Sequence, residues 1–161
     1  GAETLAIGAG LEALGLDAAA RQTQVMRRLW LPGEAPATAP EGLLTFDALT
    51  MADAVEPEVD MAATAPAQII YTSGTESLPK GAVLTHDAVL WNYVSAALEC
   101  EFSGDDVFLH ALPLFHCAQL DVFFGPCVYL GATNIITSQP RPEVLLPLIE
   151  HQNVNAFFAP P

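Results

Sequence analysis

The residues best suited to chemistry lie together in one polar stretch, Tyr71–Gly81, which reads YTSGTESLPKG. It contains four serine and threonine hydroxyls, two glycines and the only lysine of the chain, Lys80. In such a loop the backbone N–H groups can form an anion-binding concavity, the hydroxyls can donate hydrogen bonds, and the lysine adds a positive charge. The stretch therefore predicts a site for an oligophosphate, although surface loops that only connect two elements have a similar composition.

Two comparisons with general catalytic motifs narrow the chemistry. Gly74 and Lys80 have the interval of the triphosphatase pattern GxxxxGK(S/T), but Pro79 replaces its second glycine. Gly81 stands where a hydroxyl would bind magnesium. A conventional triphosphatase loop is therefore disfavoured. A hydrolase with a nucleophile elbow is disfavoured as well, because the sequence contains no G-x-S-x-G pattern.

The complete loop resembles the phosphate loop of the adenylate-forming superfamily, which includes acyl-CoA synthetases, peptide-synthetase adenylation domains and luciferase. The family pattern is approximately (S/T)(S/T)GTTGxPKG, and this chain departs from it with Glu76 for threonine and Ser77 for glycine. A carboxylate at Glu76 repels phosphate unless it points away or binds magnesium. The resemblance implies that the ATP phosphates are bound by Thr72, Ser73, Gly74, Thr75, Glu76, Ser77 and Lys80, with Thr72 also a candidate Mg²⁺ ligand.

A second short motif, LPLFH at Leu112–His116, resembles the superfamily segment that lines the acyl site. It ends a predicted strand, and ligands of α/β sheets collect at the carboxyl ends of strands. The resemblance implies that His116 borders the acyl carboxylate and the pantetheine channel, where it orients or gates rather than acts as a base. A structural histidine at the start of an apolar helix is the alternative. Phe157–Pro161 resembles the family's strand end near the adenine and the acyl tunnel.

The resemblance also implies a reaction in two halves. A carboxylate attacks the α-phosphate of ATP, bound with Mg²⁺, and gives an acyl-adenylate and pyrophosphate; the thiol of CoA then displaces AMP and gives a thioester. Phe123 and Phe124 favour an apolar acid, with a fatty acid as the first expectation. Two other functions stay open: an adenylation domain that loads a carrier protein, and a non-catalytic nucleotide-binding module.

The elements that position these motifs alternate along the second half of the chain. β-Branched and aromatic runs predict strands at 68–72, 107–112, 133–137 and 155–159, and a further short strand is predicted at 82–84 after the loop. Apolar residues at helical spacing predict helices at 88–100, 115–130 and 142–152, the second of them kinked at Gly125-Pro126. The alternation predicts an α/β fold with parallel βαβ units.

The sequence divides into two segments. Residues 1–66 are rich in Ala and Pro and acidic, with two short predicted strands around a helix, whereas residues 67–161 carry the phosphate loop. The superfamily's acidic magnesium ligand, its ribose-binding aspartate and its later arginine and lysine all lie downstream of the matched segment. We therefore expect no complete catalytic set here. The chain is interpreted as part of the large N-terminal domain of an acyl-CoA synthetase-like parent enzyme, inactive without the rest of it.

Composition excludes several partners. Five basic and 19 acidic residues give a net charge of −14, which disfavours nucleic acid. The apolar run Val122–Ala132 is 11 residues long, whereas a membrane span needs about 20.

The three cysteines, at 100, 117 and 127, have no metal-site or disulfide-framework spacing and are predicted to be reduced core thiols of a cytoplasmic protein. His110 is predicted to be buried and hydrogen-bonded in the middle of its strand.

Overall fold

The computed structural model describes residues 2–22, 24–33, 39–46, 58–72 and 79–159. Within it the chain forms two compact units, Gly1–Val59 and Asp60–Pro161. Residues 73–78 of the predicted phosphate loop lie outside the described residues. None of the helices in the described ranges has the length and apolar character that crossing a bilayer requires.

The first unit contains a small parallel sheet and one helix. Its elements are β1 (Thr4–Gly8), α1 (Glu12–Arg21), β2 (Arg27–Leu31) and β3 (Leu44–Thr45). The strands lie in the order β1-β2-β3 and are parallel. Ile7, Ala19 and Trp30 are buried, so each of the three longer elements contributes a side chain to the core. The two strands predicted around a helix are confirmed.

The second unit begins with an antiparallel hairpin, in which β4 (Pro66–Thr72) pairs with β5 (Lys80–Thr85). The parallel units that the alternation predicts do not include this pair. The physical reason is length: residues 73–79 join the two strands, and a parallel crossover needs about a dozen residues or more. Helix α2 (His86–Glu99) follows β5 directly.

The rest of the second unit is a three-stranded parallel sheet with helical crossovers, which confirms the predicted α/β class. The strands are β6 (Val107–His110), β7 (Thr133–Ile136) and β8 (Ala156–Phe157), in the order β7-β6-β8. A π-helical segment, Ala118–Phe124, runs into α3 (Gly125–Leu130) and connects β6 to β7, and α4 (Pro142–His151) connects β7 to β8. As the central strand, β6 is the most deeply buried, with Phe108, Leu109 and His110 at 2% exposure or less.

The helix after LPLFH differs from the prediction in its first residue and in its helix type. It begins at Ala118 rather than Phe115, and the change at Gly125-Pro126 is a transition from π-helix to α-helix. Pro126 lies in the first turn of α3, at this transition, where its missing N–H removes one bond from the backbone ladder. Gly125 is required for a different reason: a Cβ at this position would overlap the ring of Tyr93 on α2. This glycine lets the two helices approach closely.

Two side-chain predictions need correction. Of the three cysteines, only Cys127 is buried; Cys100 and Cys117 are free but exposed. Cys100 ends α2 and Cys117 lies in the turn before the π-helical segment, so neither faces the core. His110 is fully buried and hydrogen-bonded, as predicted, but it is the last residue of β6 rather than the middle of a longer strand.

Candidate functional site

The hairpin brings two predicted phosphate ligands together. Thr72 and Lys80 are register partners at the open end of β4 and β5, and both are exposed. The Thr72 hydroxyl donates a hydrogen bond of 3.4 Å to the carbonyl oxygen of Lys80. The predicted ligands Ser73, Gly74, Thr75, Glu76 and Ser77 lie outside the described residues. The structure therefore places the two ends of the loop side by side, with Lys80 at its base.

The residue after Lys80 must be small, and Gly81 meets this requirement. It pairs with Tyr71 in the hairpin, and a Cβ on it would lie 2.9 Å from the side chain of Ile69 and 3.4 Å from the ring of Tyr71. A larger residue would push these side chains away and disturb the strand pairing. The glycine thus keeps β4 and β5 close together directly below the loop.

Thr72 can accept a metal ion. Because its hydroxyl proton is used in the bond to Lys80, its oxygen lone pairs remain available, and hard cations such as Mg²⁺ prefer oxygen ligands. No group of three or more His, Cys, Asp or Glu residues that could hold a metal ion occurs within the described part of the chain. Thr72 as a Mg²⁺ ligand remains a prediction.

LPLFH follows β6 at the carboxyl edge of the parallel sheet, the edge at which the sequence predicts ligand binding. His116 is exposed, and its Nδ1 accepts a hydrogen bond of 3.1 Å from the backbone N–H of Ala118. In the neutral ring the proton is therefore on Nε2. The imidazole thus caps the π-helical segment and remains accessible to a ligand, which is compatible with both the binding role and the structural alternative.

A cavity of about 280 Å³ lies at the carboxyl ends of β6 and β7. Its walls include Leu112, Pro113 and Phe115 of LPLFH on one side and Thr137 and Pro140 on the other. Ligands of parallel sheets bind outside the carboxyl ends of strands. LPLFH is therefore in a position to contact a ligand at this edge.

A second cavity, of about 400 Å³, lies where the hairpin, α2 and the π-helical segment meet. Its walls are apolar except at a few side chains, among them Asn92 and Asp121. Asp121 is 7% exposed. Its Oδ1 accepts a hydrogen bond of 2.8 Å from Nε2 of Gln68 on β4, and its Oδ2 has no partner among the described residues.

Asp121 therefore links the segment after LPLFH to the hairpin of β4 and β5. Its backbone carbonyl also accepts a hydrogen bond of 2.7 Å from Nδ2 of Asn92 on α2. Sequence reasoning missed Asp121, Gln119 and Gln68. The available signal was that Gln119 and Asp121 are the polar residues within the apolar run Ala118–Leu130.

Comparisons with known proteins agree with this arrangement. The sequence profile of a family described as AMP-binding enzyme matches residues 6–161. The chain is 34% identical to a feruloyl-CoA synthase from Amycolatopsis sp. over 113 residues, covering 70% of this chain and 23% of that protein. It is also 34% identical to an indoleacetate–CoA ligase from Aromatoleum aromaticum over 117 residues, covering 71% of this chain and 23% of that protein.

Solved structures give the same result. MatB from Rhodopseudomonas palustris, crystallised with ATP bound, superposes with a TM-score of 0.75 at 26% identity, covering 92% of this chain and 28% of that one. Apo MbtA from Mycobacterium smegmatis superposes with a TM-score of 0.82 at 27% identity, and the match covers 97% of this chain and 29% of that one. The chain thus spans about a quarter of the length of its relatives. With the profile matching nearly all of it, this chain belongs to the AMP-binding enzyme family, the adenylate-forming enzymes that its phosphate loop and LPLFH indicated.

Proposed function

We propose that the protein to which this chain belongs is an ATP-dependent acid–thiol ligase. It would convert a carboxylic acid and ATP into an acyl-adenylate and pyrophosphate, and then transfer the acyl group to CoA. The observation that carries the proposal is the hairpin, which pairs Thr72 with Lys80 across the mouth of a loop that matches the family's phosphate loop. Because the chain spans about a quarter of its relatives, the activity is proposed for the whole protein.

The chemistry of the hairpin suits the first half-reaction. Displacement of pyrophosphate is accelerated mainly by positive charge and hydrogen-bond donors aimed at the phosphate oxygens. Lys80 supplies that charge from a rigid strand, and Thr72 has an oxygen free to ligate Mg²⁺. The loop residues Ser73–Ser77 are proposed to wrap the β- and γ-phosphates.

The acid is proposed to be a carboxylic acid with an apolar body. The fatty acid expected from the sequence has a competitor, because relatives are named for ferulate and indoleacetate. These names also support CoA, rather than a carrier protein, as the acceptor. The three cysteines are free thiols, which supports a reducing compartment such as the cytoplasm.

The test is ATP–pyrophosphate exchange by the whole protein with a panel of fatty and aryl acids. We expect exchange that depends on the acid. Lys80→Ala should slow it by about a hundredfold or more, as the loss of one transition-state contact commonly does. Thioester formation from supplied acyl-adenylate should be nearly unchanged. Arg141→Ala is the matched control, because it removes the other basic side chain of the second unit from the start of α4.

Three results would contradict this proposal. Absence of exchange with every acid would exclude adenylation of the acids in the panel. Equal loss of both half-reactions in Lys80→Ala would make the lysine a structural residue. Equal effects of Lys80→Ala and Arg141→Ala would mean that general charge, rather than the phosphate loop, controls the rate.

His116 is proposed to orient the acid. His116→Ala should raise the KM for the acid and leave that for ATP unchanged. His116→Asn is the control, because its side-chain oxygen can still accept the N–H of Ala118. If Asn restores the KM fully, capping explains the effect and a direct role of the imidazole is wrong.

The 161-residue chain alone is proposed to be inactive, because Lys80 and the loop cannot by themselves neutralise the leaving pyrophosphate. The purified chain should release no AMP in response to an acid. Measurable turnover would show that the active site is contained within it.

A further inference from the structure

We propose that Gln119 is a positioning residue that clamps both ends of LPLFH, and that His110 holds Gln119 in place. The side-chain Oε1 of Gln119 accepts a hydrogen bond of 3.3 Å from the backbone N–H of Leu112, the first residue of the motif. The backbone N–H of Gln119 donates one of 3.1 Å to the carbonyl of His116, the last residue. The side chain of Gln119 therefore holds the start of the motif, and its backbone N–H, together with that of Leu120, holds the end.

The orientation of the Gln119 amide is determined by a chain of hydrogen bonds that starts on β7. Nδ2 of Asn134 donates to the carbonyl of Ala132 at 2.9 Å, so Oδ1 of Asn134 must be the atom that accepts from Nε2 of His110, at 2.7 Å. Nδ1 of His110 is then an acceptor, and it receives Nε2–H of Gln119 at 2.6 Å. This leaves Oε1 of Gln119 to accept the N–H of Leu112. Each of these four hydrogen bonds joins a donor to an acceptor.

The opposite tautomer of His110 would break this order. A proton on Nδ1 would face the amide N–H of Gln119, and a bare Nε2 would face an oxygen of Asn134. Gln119 and His110 are 1% and 0% exposed, so water cannot repair either mismatch. Phe108 stacks on the imidazole at 4.8 Å between ring centroids, and Phe124 meets it edge-on at 5.3 Å, which prevents the ring from turning to another partner.

The clamp matters because the backbone between Leu112 and His116 belongs to no helix or strand. Its shape is therefore set by the turn at Pro113, whose carbonyl accepts the N–H of His116, and by the two bonds to Gln119. The link to catalysis rests on the function proposed above; the clamp itself does not.

The experiment compares three variants of the whole protein. Gln119→Met removes both side-chain hydrogen bonds at similar volume. His110→Asn keeps an acceptor near the former Nδ1 and should largely retain the clamp. Phe102→Leu is the matched control, because Phe102 packs on Phe108 at 5.5 Å and on Phe123 at 6.2 Å and makes none of the hydrogen bonds of the clamp described above.

Two readouts are independent of catalysis. Hydrogen–deuterium exchange of a peptide covering 111–117 should be at least about tenfold faster in Gln119→Met, because one of its anchoring hydrogen bonds is lost, and unchanged in Phe102→Leu. In ¹⁵N-histidine spectra, the signal that disappears in His110→Asn should show a protonated Nε2 and a bare Nδ1. Unchanged exchange in Gln119→Met, or a proton on Nδ1, would overturn the proposal.

The third readout is adenylation. We expect the kcat/KM for the acid to fall roughly tenfold to a hundredfold in Gln119→Met, as small displacements of reacting groups do, with the KM for ATP unchanged. Faster exchange without any kinetic effect would reject the positioning role while the clamp stands. If the wild-type protein shows no adenylation, the proposed function fails, and the exchange and tautomer readouts still decide the clamp.

Discussion

Acid should destabilise the second unit through one buried histidine. Burial lowers the pKa of His110 below its ordinary 6.5, and the hydrogen bond to Asn134 opposes that shift in part. In the unfolded chain the same imidazole takes up a proton as the pH falls through about 6.5. The unfolded state then binds more protons than the folded state, so stability decreases with decreasing pH in this window. Above the pKa of the unfolded chain, His110 is neutral in both states and no longer lowers the stability of the folded protein.

The size of the effect has an upper limit set by the unfolded pKa. If His110 stays neutral in the folded protein, lowering the pH from 7.5 to 5.5 stabilises the unfolded state by RT ln(11/1.1), which is about 1.4 kcal/mol. The assay is urea unfolding at the two pH values, followed by pulsed thiol labelling of Cys127. This thiol is 0% exposed and lies on α3, which packs on the same sheet, so its labelling reports the opening of this core.

Comparison with His110→Asn isolates the histidine, because carboxylates that titrate over the same range contribute equally to both proteins. We expect the wild type to lose up to about 1.4 kcal/mol more than the variant between pH 7.5 and 5.5. His151→Asn is the control, because it removes an exposed histidine that lies outside the core. Equal pH dependence in wild type and His110→Asn would refute the reasoning, since it would mean that His110 protonates without leaving the core.

Two further predictions concern the same core. Burial raises the pKa of the Cys127 thiol to about 11, whereas Cys100 and Cys117 are exposed. Iodoacetamide at pH 8 should therefore label these two and modify Cys127 only after unfolding, as residue-by-residue mass spectrometry will show; rapid native labelling of Cys127 would contradict its burial. Gly125→Ala should cost about 1–3 kcal/mol in urea unfolding through overlap with Tyr93. The cost should shrink in a Tyr93→Ala background, and a cost that persists there would locate the strain elsewhere.

The sequence predicted the parts of the fold that depend on local pattern. The buried strand VFLH at Val107–His110 is almost wholly apolar, and TNII at Thr133–Ile136 is rich in β-branched residues, so the identification of both strands needs no knowledge of a partner. The antiparallel pairing of β4 with β5 was not predicted, because the residue pattern of a strand does not identify its partner. The available signal was the length of the connection, since the seven residues 73–79 are too few for a parallel crossover.

The buried polar network could not have been predicted, because it depends on register. Phe108 pairs with Asn134 and His110 with Ile136, so the imidazole reaches the amide only diagonally across two parallel strands. The 20 or more residues between these strands do not encode that register in any local pattern. The π-helical form of Ala118–Phe124 was missed for a related reason: a segment apolar on most sides shows no period that distinguishes one helix type from another.

The same segment is hydrogen-bonded both to LPLFH and to the hairpin that carries the phosphate loop. Gln119 and Asp121 are two positions apart, so on a helix they point in nearly opposite directions. Gln119 faces the sheet and holds LPLFH, while Asp121 faces the hairpin and binds Gln68, four residues before Thr72. One helical segment thus connects the phosphate loop to LPLFH, so a shift of this segment would change the distance between the proposed phosphate and acyl sites. π-Helical turns are frequent at functional sites, and the geometry here supplies a reason for one: this segment must satisfy fixed partners on two faces within a single turn.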